Sequence, residues 1–206
     1  MTKVAVLASG SGTNLQALID ARASKRLDAD IVAVITDNPS AGAIQRAHTA
    51  GIAVHVVSRS VGESRAQYDA RLADVVRSTG ADLVVLAGFM RLLSMYFLSY
   101  FPMRVVNLHP ALPGEFPGIN AIERAFAERD ALGRSRSGVM VHFVPDEGVD
   151  DGPVIETREV PIHPTDTVET FTERMHETEH IIIVSAVQRV VESLSQSSYQ
   201  PEELTP

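Results

Sequence analysis

Asn107 and His109 stand two residues apart in Val105-Val106-Asn107-Leu108-His109-Pro110. An imidazole holds or moves a proton near neutral pH, and an amide can steady a developing oxyanion. In an extended chain, residues two apart point to the same side. The β-branched pair Val105-Val106 predicts the end of a buried strand. Pro110, with no N–H to donate, ends its ladder. Ligands of open α/β sheets bind beyond the carboxyl ends of the strands, which is where this pair would stand. A satisfied polar pair at a strand-to-loop corner is the plainer alternative.

Two further groups add chemistry. Ser9-Gly10-Ser11-Gly12-Thr13-Asn14 lies between a strand-like and a helix-like run. Such glycines let backbone N–H groups turn inward, and a helix start adds partial positive charge, so the loop suits an anion. It is not a Walker A loop, and Asn14-Leu15 stands where a dinucleotide fingerprint has its third glycine. A mononucleotide or sugar phosphate fits better than a pyrophosphate; a tight βα turn is the alternative. Carboxylates cluster in Asp146-Glu147-Gly148-Val149-Asp150-Asp151. A carboxylate beside an imidazole fixes its tautomer and favours its protonated form. Amide, imidazole and carboxylate are the parts that acyl transfer needs. There is no cysteine, and no serine sits in a nucleophile elbow. Direct attack by a substrate amine or a water is therefore expected, without a covalent enzyme intermediate. The His and carboxylate spacings match no metal-ligand pattern, so no metal is expected.

An α/β scaffold must position these groups. Residues 3–8 are apolar on consecutive positions, as in a buried parallel strand. Further strands are expected at 30–36, 53–57 and 83–86, with helices at 15–21, 43–50 and 63–79. Arg65 falls in the first turn of the last of these, where the dipole disfavours a cation. That leaves it either a second phosphate ligand or a solvated surface arginine. The apolar loop Ala87-Gly88-Phe89-Met90-Arg91-Leu92-Leu93 can line a pocket for a flat organic ligand or simply cap the core. Ser94 should N-cap a short helix to about residue 101. Residues 111–118, rich in Pro and Gly, are loop, and 121–127 are helical. In the alternating run 137–144, His142 shares a face with Met140. Residues 154–160 read as an antiparallel edge segment and 167–195 as a long helix. The expectation is a single α/β domain, 1–195, with a polar tail at 196–206. Its sheet is mostly parallel and Rossmann-like, with helices on both faces and an antiparallel edge segment.

Composition narrows the function. A chain of 206 residues with 45% apolar content can bury a full core. A formal charge of −8 with no basic cluster argues against nucleic acid. No run is long and apolar enough for a membrane span, and Met1-Thr2-Lys3 leads straight into a strand without a signal segment. The lack of cysteine suits the cytosol, so a cytoplasmic location is expected.

Four blocks carry a resemblance. They are 6–17 around the glycine loop, Val85-Leu86-Ala87-Gly88-Phe89-Met90-Arg91, Asn107-Leu108-His109-Pro110, and Val149-Asp150-Asp151-Gly152-Pro153-Val154-Ile155. Each alone is suggestive; together they are highly specific. The chain resembles the folate-dependent phosphoribosylglycinamide formyltransferases from Val4 to about Val184. The resemblance implies formyl transfer from 10-formyltetrahydrofolate to the amine of glycinamide ribonucleotide, in purine synthesis, with those two small molecules as partners. A homodimer is left open. By likeness Asn107, His109 and Asp150 are the catalytic set, Asp150 being the acidic residue before the small-Gly-Pro step. Gly12, Thr13 and Asn14 resemble the ribotide phosphate loop, Arg65 its basic partner, and Glu179 a carboxylate holding the glycinamide end. Met90, Arg91, Leu93 and the backbone of Val144, Pro145 and Asp146 resemble the folate pocket, with His142 near the formyl site.

The sequence departs from the family pattern at Ala111-Leu112-Pro113-Gly114, at Asn120 and at Met140. Two relatives carry extra domains that this sequence does not show: formyltetrahydrofolate hydrolase and methionyl-tRNA formyltransferase. The hydrolase, or a binding paralogue with impaired catalysis, is the rival reading.

Overall fold

A computed structural model describes residues 1–197 of the chain. Seven strands form one sheet: β1 (Thr2–Leu7), β2 (Ala29–Thr36), β3 (Ala53–Val56), β4 (Leu83–Leu86), β5 (Val105–His109), β6 (Arg136–Phe143) and β7 (Val154–Pro161). Their order is β3-β2-β1-β4-β5-β6-β7. The five strands from β3 to β5 run parallel, and β6 and β7 are antiparallel additions at one edge. The chain first winds outward from β1 to β3, then restarts at β4 on the other side of β1. The resulting switch point lies between β1 and β4, and its carboxyl edge is where such sheets hold ligands.

Helices cover both faces. α1 (Thr13–Ala23), α2 (Gly42–Thr49), α5 (Ala121–Leu132) and α6 (Val168–Ser197) pack on one; α3 (Arg65–Ser78) and α4 (Met95–Leu98) on the other. This explains the unbroken apolar run in β1. Val4 and Val6 pack with Leu15 and Leu18 of α1, while Ala5 and Leu7 face Tyr68 and Leu72 of α3. Each such large side chain contributes about 1.5–3 kcal/mol by its burial. On β5 the same alternation sends Val106 and Leu108 to the α6 side. Val105 packs on the α3/α4 side, so Asn107 and His109 share that side.

Helix starts differ from expectation in two places. Ser64 caps α3 through a full capping box with Gln67, a signal the sequence reading missed. Ser94 precedes α4 but makes no side-chain cap; its backbone N–H instead donates to the buried Asp69 carboxylate at 2.8 Å. α5 runs five residues beyond the expected 127, to a left-handed Gly133. The last helix passes the expected boundary at 195 and reaches Ser197; the rest of the expected tail, 198–206, lies outside the described residues.

Candidate active site

β5 ends by presenting Asn107 and His109 side by side. Antiparallel pairing sets His142 of β6 opposite Asn107 and Met140 opposite His109, so all four share one face. The loop after β6 returns Asp150 to this face in a left-handed conformation, φ 55°. That backbone is uncommon for a non-glycine residue and persists where contacts over-determine it. Here they do. Asn107 Nδ2 donates to Asp150 Oδ1 at 3.0 Å, and the Gly118 N–H donates to Oδ2 at 2.9 Å. His109 Nδ1 stands 3.2 Å from Oδ2.

The network fixes two orientations. His142 Nδ1–H donates to the Phe143 carbonyl at 2.8 Å, so neutral His142 offers a lone pair at Nε2. Asn107 Nδ2 lies 3.2 Å from it and donates its second hydrogen there. Both amide N–H groups of Asn107 are thus committed, and among the described residues no hydrogen bond reaches its Oδ1. The expected oxyanion donor is, in this arrangement, a free acceptor.

The charges also differ from expectation. His109 is 3% exposed, and burial pushes its imidazole below the ordinary value. The Asp150 charge and the backbone of Glu115 and Phe116 push the other way without overcoming burial. The ring is therefore biased toward neutrality, not toward the protonated form expected from the carboxylate alone. Burial also pushes the Asp150 carboxyl up, but the neighbouring His142 ring, the Gly118 N–H bond and the His109 ring outweigh it. The carboxyl is held below its usual range.

A cavity of about 650 Å³ opens on this cluster. Asn107, His109, His142 and Asp150 line it, and so do Met90, Arg91, Leu93, Val144 and Asp146. Its size and largely apolar wall suit an organic ligand. Pro145 is an exception to the expected set: it does not line the cavity but packs on Gly152, where a Cβ would come within 2.9 Å of its ring. Arg91 turns its guanidinium to Asp37 at 2.7 Å and lies 5.0 Å from the Tyr68 ring centre.

The glycine loop forms a separate corner of the same edge. Gly12 caps α1 at φ 74°, and a Cβ there would meet Ala43 Cα at 2.7 Å. Only glycine satisfies both conditions. Asn14, almost fully buried, donates to Glu179 at 3.0 Å. Burial pushes the Glu179 carboxyl up, against the Asn14 bond and His176. Asn14 Oδ1 is buried with no partner among the described residues, an unmet acceptor beside the loop.

Arg65 is not brought to this loop. Its guanidinium binds Glu147, which lines the large cavity, at 3.0 Å and lies 3.8 Å from Asp69. α3 starts on the opposite face of the sheet from α1, which is why the expected pairing fails. The arginine that does meet the glycine loop is Arg46 of α2. Its Nε donates to the Ser11 carbonyl at 2.9 Å and Nη1 to Gln16 at 3.2 Å. Among the described residues it has no carboxylate partner within ion-pair distance. It lines a second cavity, about 380 Å³, with Thr13 and His180. The helical spacing of Arg46 carried no sequence signal, because its contact to Ser11 spans 35 residues. Groups of His and carboxylates able to hold a metal are absent among the described residues. No helix there is long and apolar enough to cross a membrane.

Comparison with known proteins agrees with this geometry. Residues 2–187 match the formyl transferase family. A phosphoribosylglycinamide formyltransferase of Dictyostelium discoideum is 43% identical over 197 residues, covering 89% of this chain and 95% of that protein. The Escherichia coli enzyme of the same name is 39% identical, covering 87% and 82%. A trifunctional purine biosynthetic protein of Drosophila melanogaster is 44% identical over 86% of this chain but only 13% of its own length. The crystal structure of glycinamide ribonucleotide transformylase 1 from Symbiobacterium toebii superposes with a TM-score of 0.88 at 39% identity, covering 94% of this chain and 89% of that one. With its switch-point sheet, its glycine loop and the Asn107–His109–Asp150 cluster, the chain belongs to the formyl transferase family, among the phosphoribosylglycinamide formyltransferases.

Proposed function

We propose that this chain transfers the formyl group of 10-formyltetrahydrofolate to the amine of glycinamide ribonucleotide, a step of purine synthesis in the cytoplasm. The observation that carries the mechanism is the buried His109–Asp150–Asn107 cluster on the wall of a cavity sized for an organic co-substrate. No thiol exists to form an acyl-enzyme. The ribotide amine attacks the formyl carbon directly, the bond to N10 of the folate breaks, and N10 takes up a proton. Formylated ribotide and tetrahydrofolate leave.

Each residue has a role in that step. Neutral His109 is flanked by two acceptors, the Asp150 carboxylate at Nδ1 and the Glu115 carbonyl at Nε2. As negative charge grows on the formyl oxygen, a proton on the ring becomes favourable; it is the amine proton, relayed through water and Asp150, and it passes on to N10 as the C–N10 bond breaks. Asp150 holds the tautomer and receives the amine proton through water. Asn107 accepts from the amine through Oδ1 while its N–H groups hold Asp150 and His142 in place. At the other corner, the backbone of Gly12, Thr13 and Asn14 takes the ribotide phosphate. Arg46, rather than Arg65, is its cation, and Glu179 with Asn14 Oδ1 meets the polar groups of the ribotide. Met90, Leu93, Val144 and Asp146 hold the folate, with Arg65 and Glu147 at its rim.

One assay tests the reading. The protein is mixed with 10-formyltetrahydrofolate, with and without glycinamide ribonucleotide, and deformylation is followed. Turnover that needs the ribotide is expected. Ribotide-independent turnover would make it a hydrolase, and binding without turnover an impaired paralogue.

A further inference from the structure

Residues 111–120 connect β5 to α5 and touch both members of the His109–Asp150 pair. The Glu115 carbonyl lies 3.4 Å from His109 Nε2. Three residues on, the Gly118 N–H binds Asp150 Oδ2 at 2.9 Å. One short segment therefore places an acceptor beside the ring and a donor on the carboxylate that faces the ring's other nitrogen. A displacement of this segment would alter both contacts together.

Little within the segment holds it in shape. A single turn bond, Glu115 N–H to the Leu112 carbonyl at 2.9 Å, lies inside it. Phe116 adopts φ 47°, a strained backbone for an aromatic residue that must be imposed from outside. Phe116 packs in the core, and two arginines lie over its ring. The guanidinium carbons of Arg134 and Arg124 lie 4.8 Å and 5.4 Å from the Phe116 ring centre. Arg124 also binds the Pro117 carbonyl at 2.8 Å. Arg134 does more: its Nη1 binds Glu115 at 3.0 Å while its Nε binds Glu128 of α5 at 2.7 Å. It thus grips Glu115 and Phe116 at once and is braced on a helix.

We infer that Arg134 is a positioning residue for the active site: through Glu115 and Phe116 it holds residues 115–118 against His109 and Asp150. Its kinetic consequence rests on the function proposed above; its effect on the His109 ring does not. A salt bridge that served stability alone would be a small, partly exposed contribution and would leave the ring unmoved.

The test uses Arg134→Ala, Glu115→Ala and the double variant in the full chain. Glu115→Ala keeps the carbonyl that faces His109 but removes the grip on Arg134. NMR of the His109 ring nitrogens and steady-state kinetics are the readouts. Both single variants should shift the ring signals and lower kcat roughly ten- to a hundredfold, the scale of a small misplacement, with ribotide KM nearly unchanged. The double variant should lose no more than the worse single one, because both break one connection. Arg134→Lys, which keeps the charge but loses the fork, should recover part of kcat. Unmoved ring signals in a folded Arg134→Ala protein, or losses that multiply in the double variant, would overturn the inference. If Arg134→Ala does not fold, the ring signals of Glu115→Ala decide. Absence of transferase turnover in the wild type would refute the proposed function instead, and the ring signals would still decide on Arg134.

Discussion

The two corners of the carboxyl edge are built in opposite ways. The glycine loop is six consecutive residues, Ser9 to Asn14, that run from the end of β1 into the first turn of α1, and what it offers a ligand is mostly backbone. It depends on a side chain being absent: Gly12 has no room for a Cβ against Ala43. The His109 corner is assembled from β5, β6 and two loops, and what it offers is side chains. Three of its flanking residues, Phe116, Asn120 and Asp150, are held at positive φ without being glycine. The first corner is contiguous in sequence, although Ala43 and Gly88 brace its backbone. The second is precise only because remote groups over-determine it. A backbone site should therefore fail by crowding, and a side-chain site by loss of a partner.

The sharpest break of that contrast is at Asp150. Asp150→Asn removes the charge that opposes burial at His109 and sets an NH2 group against donors. We expect the single-turnover rate to fall by roughly two to four orders of magnitude, as for a group that handles a proton. The His109 ring should also titrate lower still, since burial already pushes it down and the Asp150 charge was the main force raising it. Asp151→Asn should change the rate less than about twofold. Asp151 is exposed, and its side chain lies over Gly148 rather than on the cluster. A larger loss in Asp151→Asn than in Asp150→Asn would show that the wrong carboxylate has been assigned to the pair.

The same contrast explains what the sequence disclosed. Period-two placement put Asn107 and His109 on one side, and consecutive apolar residues marked β1 as buried on both faces. Strand, glycines and helix in one run exposed the glycine loop. These are local signals. Choosing Asp150 among four carboxylates needed the family likeness, because nothing local distinguishes it from Asp151. The downward push on the His109 imidazole was not legible, because a neighbouring carboxylate shows in the sequence and depth of burial does not. Arg65 was correctly marked as unusual in a first helical turn, yet its partner Glu147 is 82 residues away and on the other side of the sheet from the loop. Arg134 gave no signal, since its grip on Glu115 and Phe116 exists only once α5 has turned the chain back.

Gly12→Val is the next smaller effect, and it tests failure by crowding. Valine at φ 74° is strained, and its Cβ would lie 2.7 Å from Ala43 Cα, so the loop or α2 must shift. Strain of about 1–3 kcal/mol corresponds to roughly ten- to a hundredfold weaker ribotide binding. Calorimetry should show folate binding within twofold of the wild type. Equal loss of both ligands in a folded protein would mean that the corners are not independent.

The smallest effect separates the two arginines. Arg46 touches the Ser11 carbonyl and, among the described residues, has no carboxylate partner within ion-pair distance, so its charge is available to an anion at the glycine loop. Arg65 is already paired with Glu147, a residue lining the large cavity. Both are partly exposed, which limits each to about 1 kcal/mol, or roughly fivefold in binding. Arg46→Ala should weaken the ribotide by that factor and spare the folate. Arg65→Ala should spare the ribotide, because it stands on the α3 side of the sheet, and should weaken the folate instead. The control is salt: the Arg46 contribution should shrink between 50 and 500 mM salt (about 0.05 to 0.5 M), as expected for a charge that solvent reaches. If Arg65→Ala weakens the ribotide and Arg46→Ala does not, the phosphate lies nearer the His109 corner than the glycine loop. The separation of the edge into a backbone corner and a side-chain corner would then be wrong.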